Sequence, residues 1–124
     1  MIYRVVICGG RDFNDYAFAE FCLNWILLKK IGEGYDIVVV SGGARGADKI
    51  GECWARSKGF EIDVHPADWD RYGKQAGYLR NVEMVDSCDG VVAFWDGESK
   101  GTKHTIDYAN KKGVPCIVVN YDKY

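Results

Sequence analysis

Five short runs rich in valine and isoleucine recur along this chain, and helical patterns fill the gaps between them. The runs are "YRVVIC" (Tyr3–Cys8), "DIVVVS" (Asp36–Ser41), "FEIDVH" (Phe60–His65), "GVVAFW" (Gly90–Trp95) and "PCIVVN" (Pro115–Asn120). β-Branched residues bounded by Gly, Asp or Pro predict strands. Three of the runs are nearly continuous in apolar character, which suits strands covered on both faces of a parallel sheet.

The segments between them carry helical spacing. Phe18, Phe21, Cys22, Trp25 and Leu28 fall on one stripe at i, i+3, i+4, i+7 and i+10, which predicts the buried face of a first helix. Ile26 and Leu27 lie off that stripe, and two readings stand: they pack on a second copy in a homodimer, or they broaden the buried face. Ala47, Ile50, Trp54 and Ser57 repeat the spacing, and Gly59 supplies a stop. "AGYLRNVEMVDS" and "TKHTIDYANKKG" predict two further helices, the last with lysines in its final turn.

Strict alternation of strand and helix gives an α/β class. The expectation is a Rossmann-like open parallel sheet of five strands, with helices on both faces, as a single domain over residues 1–124. Only Pro66–Gln75, "PADWDRYGKQ", lacks periodicity, and it is the predicted functional loop.

The formal net charge of −2 sets nucleic-acid binding back, since such proteins usually carry a basic balance. An anion site here must come from local geometry. The five cysteines form no C-x-x-C pair and sit mostly in apolar runs, as reduced thiols of a cytoplasmic protein do. No run has the length of a membrane span or the layout of a signal peptide. No metal-ligand constellation is visible and no cofactor is required; magnesium is expected only in company with a phosphate ligand.

In sheets of this kind ligands bind beyond the carboxyl ends of the strands, where strand order reverses. The turns at those ends are "GGRDF" (Gly9–Phe13), "GGARGAD" (Gly42–Asp48), "PADWDRYGK" and "DGESKGT" (Asp96–Thr102). Each of the four sets glycine beside a basic residue. Glycine lets backbone N–H groups approach an anion, a helix N-terminus adds donors, and arginine brings a planar fork. Gly10, Arg11, Gly43, Arg45, Gly46 and Thr102 are therefore expected to hold phosphate, with Gly9, Gly42 and Gly101 beside them in the expected ligand-binding set. Asp48 has two open readings, a carboxylate on the helix dipole or a partner for ribose hydroxyls. Thr102 also reads as an ordinary N-cap. Trp69 and Tyr72 read as loop anchors or as a stacking platform. His65 and His104 have no carboxylate or cysteine at a ligand-like spacing and read as structural.

Taken together, "GGRDF", "GGARGAD", "PADWDRYGKQAGYLRN" with Met84, and "VVAFWDGESKGT" resemble the YspA-type (cpYpsA-related) branch of the SLOG superfamily. That superfamily includes relatives of DNA-processing protein A and the Lonely Guy phosphoribohydrolases. The resemblance implies a nucleotide-derived ligand, with Arg80 and Asn81 expected to contact its ribose or phosphate. It sets Gly42, Gly43 and Gly46 where the phosphoribohydrolases hold phosphate, and Arg80 and Met84 in their Arg-Lys-x-x-Met motif, with Asn81 replacing the lysine. Where their second motif carries two glutamates, this chain has His104 and Thr105. Cleavage at ribose needs a carboxylate, so the departure favours binding or sensing over hydrolysis. If a reaction occurs, Arg80, Asp48 and Asp96 are the candidates to carry it. Single-stranded DNA binding is the least favoured reading.

Overall fold

A computed structural model describes residues 1–122, so the last two positions of the expected domain, 123 and 124, lie outside the described residues. The elements run β1 (Ile2–Gly9), α1 (Tyr16–Ile26), α2 (Leu28–Gly32), β2 (Asp36–Ser41), α3 (Ala47–Lys58), β3 (Glu61–Val64), α4 (Trp69–Tyr72), α5 (Ala76–Asp86), β4 (Gly90–Trp95), α6 (Lys100–Lys112) and β5 (Cys116–Asn120). A 3-10 turn, Gly73–Gln75, joins α4 to α5. All five strands are parallel, in the order β3-β2-β1-β4-β5. The expected class and sheet are thus observed.

Alternation along the central strands divides the core in two. Val5, Ile7, Val39, Val92 and Phe94 face α1 and α3, which contribute Ala19, Leu23, Trp54 and Ala55, with Leu27 at the C-cap of α1. Val6, Cys8, Val40, Val91 and Ala93 face α5 and α6, which contribute Met84, Val85, Ile106 and Ala109. The three central strands are the three continuous apolar runs, as two covered faces require.

The first helix is turned differently from its expected orientation. Phe21, Trp25 and Leu28 are 62%, 74% and 59% exposed, whereas Ala19, Leu23 and Leu27 are buried and Ile26 packs partly against them. α1 has two apolar stripes, and periodicity alone does not rank them. The one with Ala19 wins because a small residue lets the helix lie close on its neighbours. Asn24 then fixes the rotation by accepting the Trp54 indole N–H at 2.9 Å. Leu27 therefore broadens the buried face, and Ile26 packs partly against it.

The expected loop is also partly ordered. Asp68 accepts the Arg71 N–H and caps α4, so helix begins inside the aperiodic stretch. Trp69 and Tyr72 are 52% and 45% exposed, which rules out the anchor reading.

Gly46 shows how the two glycine turns lock together. It opens α3 at φ 82°, and a Cβ there would overlap the carbonyls of Gly10 and Arg11. The close approach lets the Gly10 carbonyl accept the Ala47 N–H at 3.1 Å. Gly34 has a similar φ of 85° with open space around it. Gly34→Ala should cost about 1 kcal/mol of strain, and Gly46→Ala about 2–3 kcal/mol because the turn must also shift. Urea unfolding of both variants checks this; equal losses would contradict the packing role.

Candidate functional site

Strand order reverses at β1, which pairs with β2 on one side and β4 on the other. The chain leaves β1 and β4 towards opposite faces, so their carboxyl ends part and leave a crevice. A cleft of ≈ 490 Å³ opens there. Cys8 and Met84 lie in its lining, with Gly9, Gly10, Arg11 and Asp12 from the β1 turn. Ala44, Arg45 and Asp48 come from the β2–α3 turn, and Arg80 and Asn81 from α5. Asp96, Glu98, Ser99, Gly101, Thr102 and Thr105 complete it from the β4–α6 side.

Nine of the twelve expected ligand residues and all three candidate reacting groups thus share one cleft. The other three, Gly42, Gly43 and Gly46, stand behind it. The Gly42 carbonyl accepts Arg80 Nη1 at 2.7 Å, and Gly43 donates its N–H to Ser41 Oγ at 3.1 Å. Gly46 packs on the Gly10 turn as described. These glycines shape the wall and aim Arg80, whose Nε also donates to Asn81 Oδ1 at 3.1 Å.

Arg11 and Arg45 are exposed on the cleft rim. The N-terminus of α6 opens on the same side. Ser99 is its N-cap, accepting the Thr102 N–H at 3.4 Å and meeting Thr102 Oγ1 at 3.0 Å, so Thr102 is the third helical residue and not the cap. No acidic residue occupies the first turn of α6. Asp96 Oδ1 accepts the N–H groups of Glu98 and Ser99 at 2.8 and 2.9 Å and thereby builds the turn.

Asp48 is 7% exposed in the first turn of α3, and its Oδ2 accepts the Ala44 N–H at 3.2 Å. Burial pushes its pKa up to about 6, against the Ala44 hydrogen bond and the charges of Arg80 and Arg11. Burial, with Asp48 adding to it, also raises the Cys8 thiol well above its usual range, so Cys8 is a neutral floor residue.

The residues standing for the missing glutamates diverge. Thr105 is buried in the cleft lining with its hydroxyl towards the Gly101 carbonyl at 3.4 Å. His104 lies beside Asn81 Nδ2 at 3.4 Å and against the Tyr78 ring at 4.6 Å, outside the cleft lining. Desolvation lowers its pKa, opposed by Asp107. His65 does have carboxylate partners: its Nε2 meets Asp63 at 2.9 Å and its Nδ1 meets Glu83. Burial pulls its pKa down, but the hydrogen bonds to the two carboxylates outweigh that and raise it. Glu83 arrives from α5, which no local spacing reveals.

The family model of the YspA, cpYpsA-related SLOG family matches residues 3–72, more than half of the chain. The chain belongs to this family. A relative from Mycobacterium phage D29, the Gene 61 protein, is 49% identical over 120 residues, covering 92% of this chain and 94% of its own. Among solved structures, this SLOG chain is similar to DNA processing protein A from Helicobacter pylori, a protein with a single-stranded DNA binding mode. The likeness has a TM-score of 0.65 at 23% identity and covers 94% of this chain. The SLOG chain spans 64% of that protein's, and at this identity the likeness concerns the fold. No helix among the described residues is long and apolar enough to cross a membrane.

The shifted pKa of Asp48 has a consequence for stability. With a folded pKa of about 6 against 3.8, the native state holds the proton more tightly, so stability is lost as pH rises from about 4 through 6. Above that window the ionised carboxylate costs roughly 3 kcal/mol, in order of magnitude. Asp48→Asn should therefore raise the melting midpoint near neutral pH and leave it little changed near pH 4. Thermal unfolding across pH reads this directly, and an absent gain at neutral pH would contradict it.

Proposed function

We propose that the chain binds a nucleotide-derived ligand in the cleft between β1 and β4. The observation that carries this is the meeting of Arg11, Arg45, Arg80 and the α6 N-terminus at one crevice of a protein whose net charge is −2. The basic groups and backbone donors suit phosphate. The carboxylates of Asp12, Asp96 and Glu98 on the same lining would repel a bare polyphosphate, but they accept hydrogen bonds from ribose hydroxyls. That mixture favours a phosphate carried on ribose, of the ADP-ribose or cyclic nucleotide type. Among the described residues no group of three or more His, Cys, Asp or Glu side chains could hold a metal, so a magnesium ion would enter with the phosphate.

Sensing without turnover is the favoured mode, because the positions of the two glutamates hold His104 and Thr105. Should the ligand be cleaved, Asp48 is the better proton donor, since its pKa of about 6 keeps part of it protonated near neutrality. Asp96 is engaged with two backbone amides.

A second reading is single-stranded DNA binding, which the Helicobacter pylori neighbour brings back despite the negative net charge. The observation in its favour is the exposure of Trp69 and Tyr72 beside Arg71 and Lys74, with the Trp69 ring close to Gly77 in the turn of α5 that carries Arg80.

Thermal shift against ADP-ribose, cyclic nucleotides and oligothymidine separates the readings, with each mixture assayed for released base. A midpoint shift with an intact small ligand, lost in Arg45→Ala, is expected; saturating ligand should contribute about 3 kcal/mol. Release of base would favour the hydrolase. A salt-sensitive shift with oligothymidine alone would replace the small-ligand reading.

A further inference from the structure

α1 and the short α2 that follows it across Leu27 present a shared apolar stripe to solvent, and this face is independent of the cleft. Phe18, Phe21, Trp25 and Leu28 are 39%, 62%, 74% and 59% exposed, and Ile31 continues the line at 36%. Their spacing of three, four and three residues is that of a helix–helix seam, where each side chain fits between those of a facing helix. With 150–250 Å² for a whole aromatic side chain, the stripe leaves on the order of 500 Å² of apolar surface on one protomer. That would be the core of a standard interface of about 800 Å² per partner.

Charge along the stripe selects the occupant. At the N-terminal end, a groove of ≈ 570 Å³ is lined by Asp12, Asp15 and Asp122 beside Phe13 and Phe18. At the other end stands exposed Lys29, while Lys30 turns inward over the rings of Tyr3 and Tyr35. Two such helices laid antiparallel bring Phe21 against Trp25 of the other copy and Phe18 against its Leu28. The same pairing carries each Lys29 to the acidic groove of the other copy. A parallel arrangement would set acid against acid. A surface complementary to itself under a two-fold rotation fits a second copy of this chain.

We propose that the protein forms a two-fold homodimer through antiparallel packing of the α1–α2 stripes, with Trp25 at the centre and Lys29 in the partner's acidic groove. The Phe13 and Phe18 rings, 6.5 Å apart, tie this interface to the turn that carries Arg11.

Sedimentation equilibrium of the full chain tests it. The protein should be dimeric at micromolar concentration. Trp25→Glu should weaken the dimer by about thirtyfold or more while the far-ultraviolet circular dichroism and melting of the monomer stay intact, because Trp25 contributes little to the core. Lys29→Glu should weaken it about tenfold. If Trp25→Glu fails to fold, Phe21→Glu asks the same question at another exposed position of the stripe. A monomeric wild type at high micromolar concentration, or dimers unaffected by these substitutions, would overturn the proposal.

Discussion

The pairing of β1 with β2 on one edge and β4 on the other is the constraint on which the rest depends. Five register positions join β1 to each neighbour, and the shared strand is buried on both faces from Val5 to Cys8. Right-handed crossovers then send the chain after β1 and β4 to opposite faces of the sheet. The crevice between their ends is the geometric result, whatever side chains line it. Gly9 tightens it further: a Cβ there would overlap the Phe94 carbonyl, which accepts the Gly10 N–H at 3.1 Å. The two strands thus remain joined up to the point where the cleft begins.

Side chains convert that crevice into a polar site at a cost to stability. A carboxyl group with Asp48's burial is an expensive choice for a helix N-terminus, where an exposed aspartate would serve the dipole as well. It lies on the cleft lining with Arg80 and Cys8, close to Gly42. Glu52, also buried, differs in being fully engaged, with Ser41 Oγ at 2.6 Å and Arg56 at 3.4 Å. Of the two buried carboxylates on α3, Glu52 joins the helix to β2 and Asp48 faces the cleft.

The fold was legible because its signals are local. Strand boundaries agree within a residue or two, and Gly59 and Gly113 end their helices in the left-handed conformation as expected. Most of the cleft was legible too, since switch-point geometry depends only on element order. What escaped prediction depends on how elements pack. On α1 two apolar stripes compete, and only the close seat of Ala19 decides between them. Cys8 and Thr105 entered the cleft lining through strand and helix orientation, which the turn sequences do not encode. Ser99 could have been found, because a serine three residues before Thr102 is an N-cap signal in its own right.

If β1, β2 and β4 deliver their turns to one ligand site, amide chemical shifts will report it directly. Titrating ADP-ribose into the ¹⁵N-labelled protein should perturb Gly10, Arg11, Arg45, Gly101 and Thr102 together, with one shared dissociation constant. Amides on the outer face of α1, such as Phe21 and Trp25, should move little. Perturbations confined to α4 and its aromatic residues, or spread without focus over the surface, would contradict it.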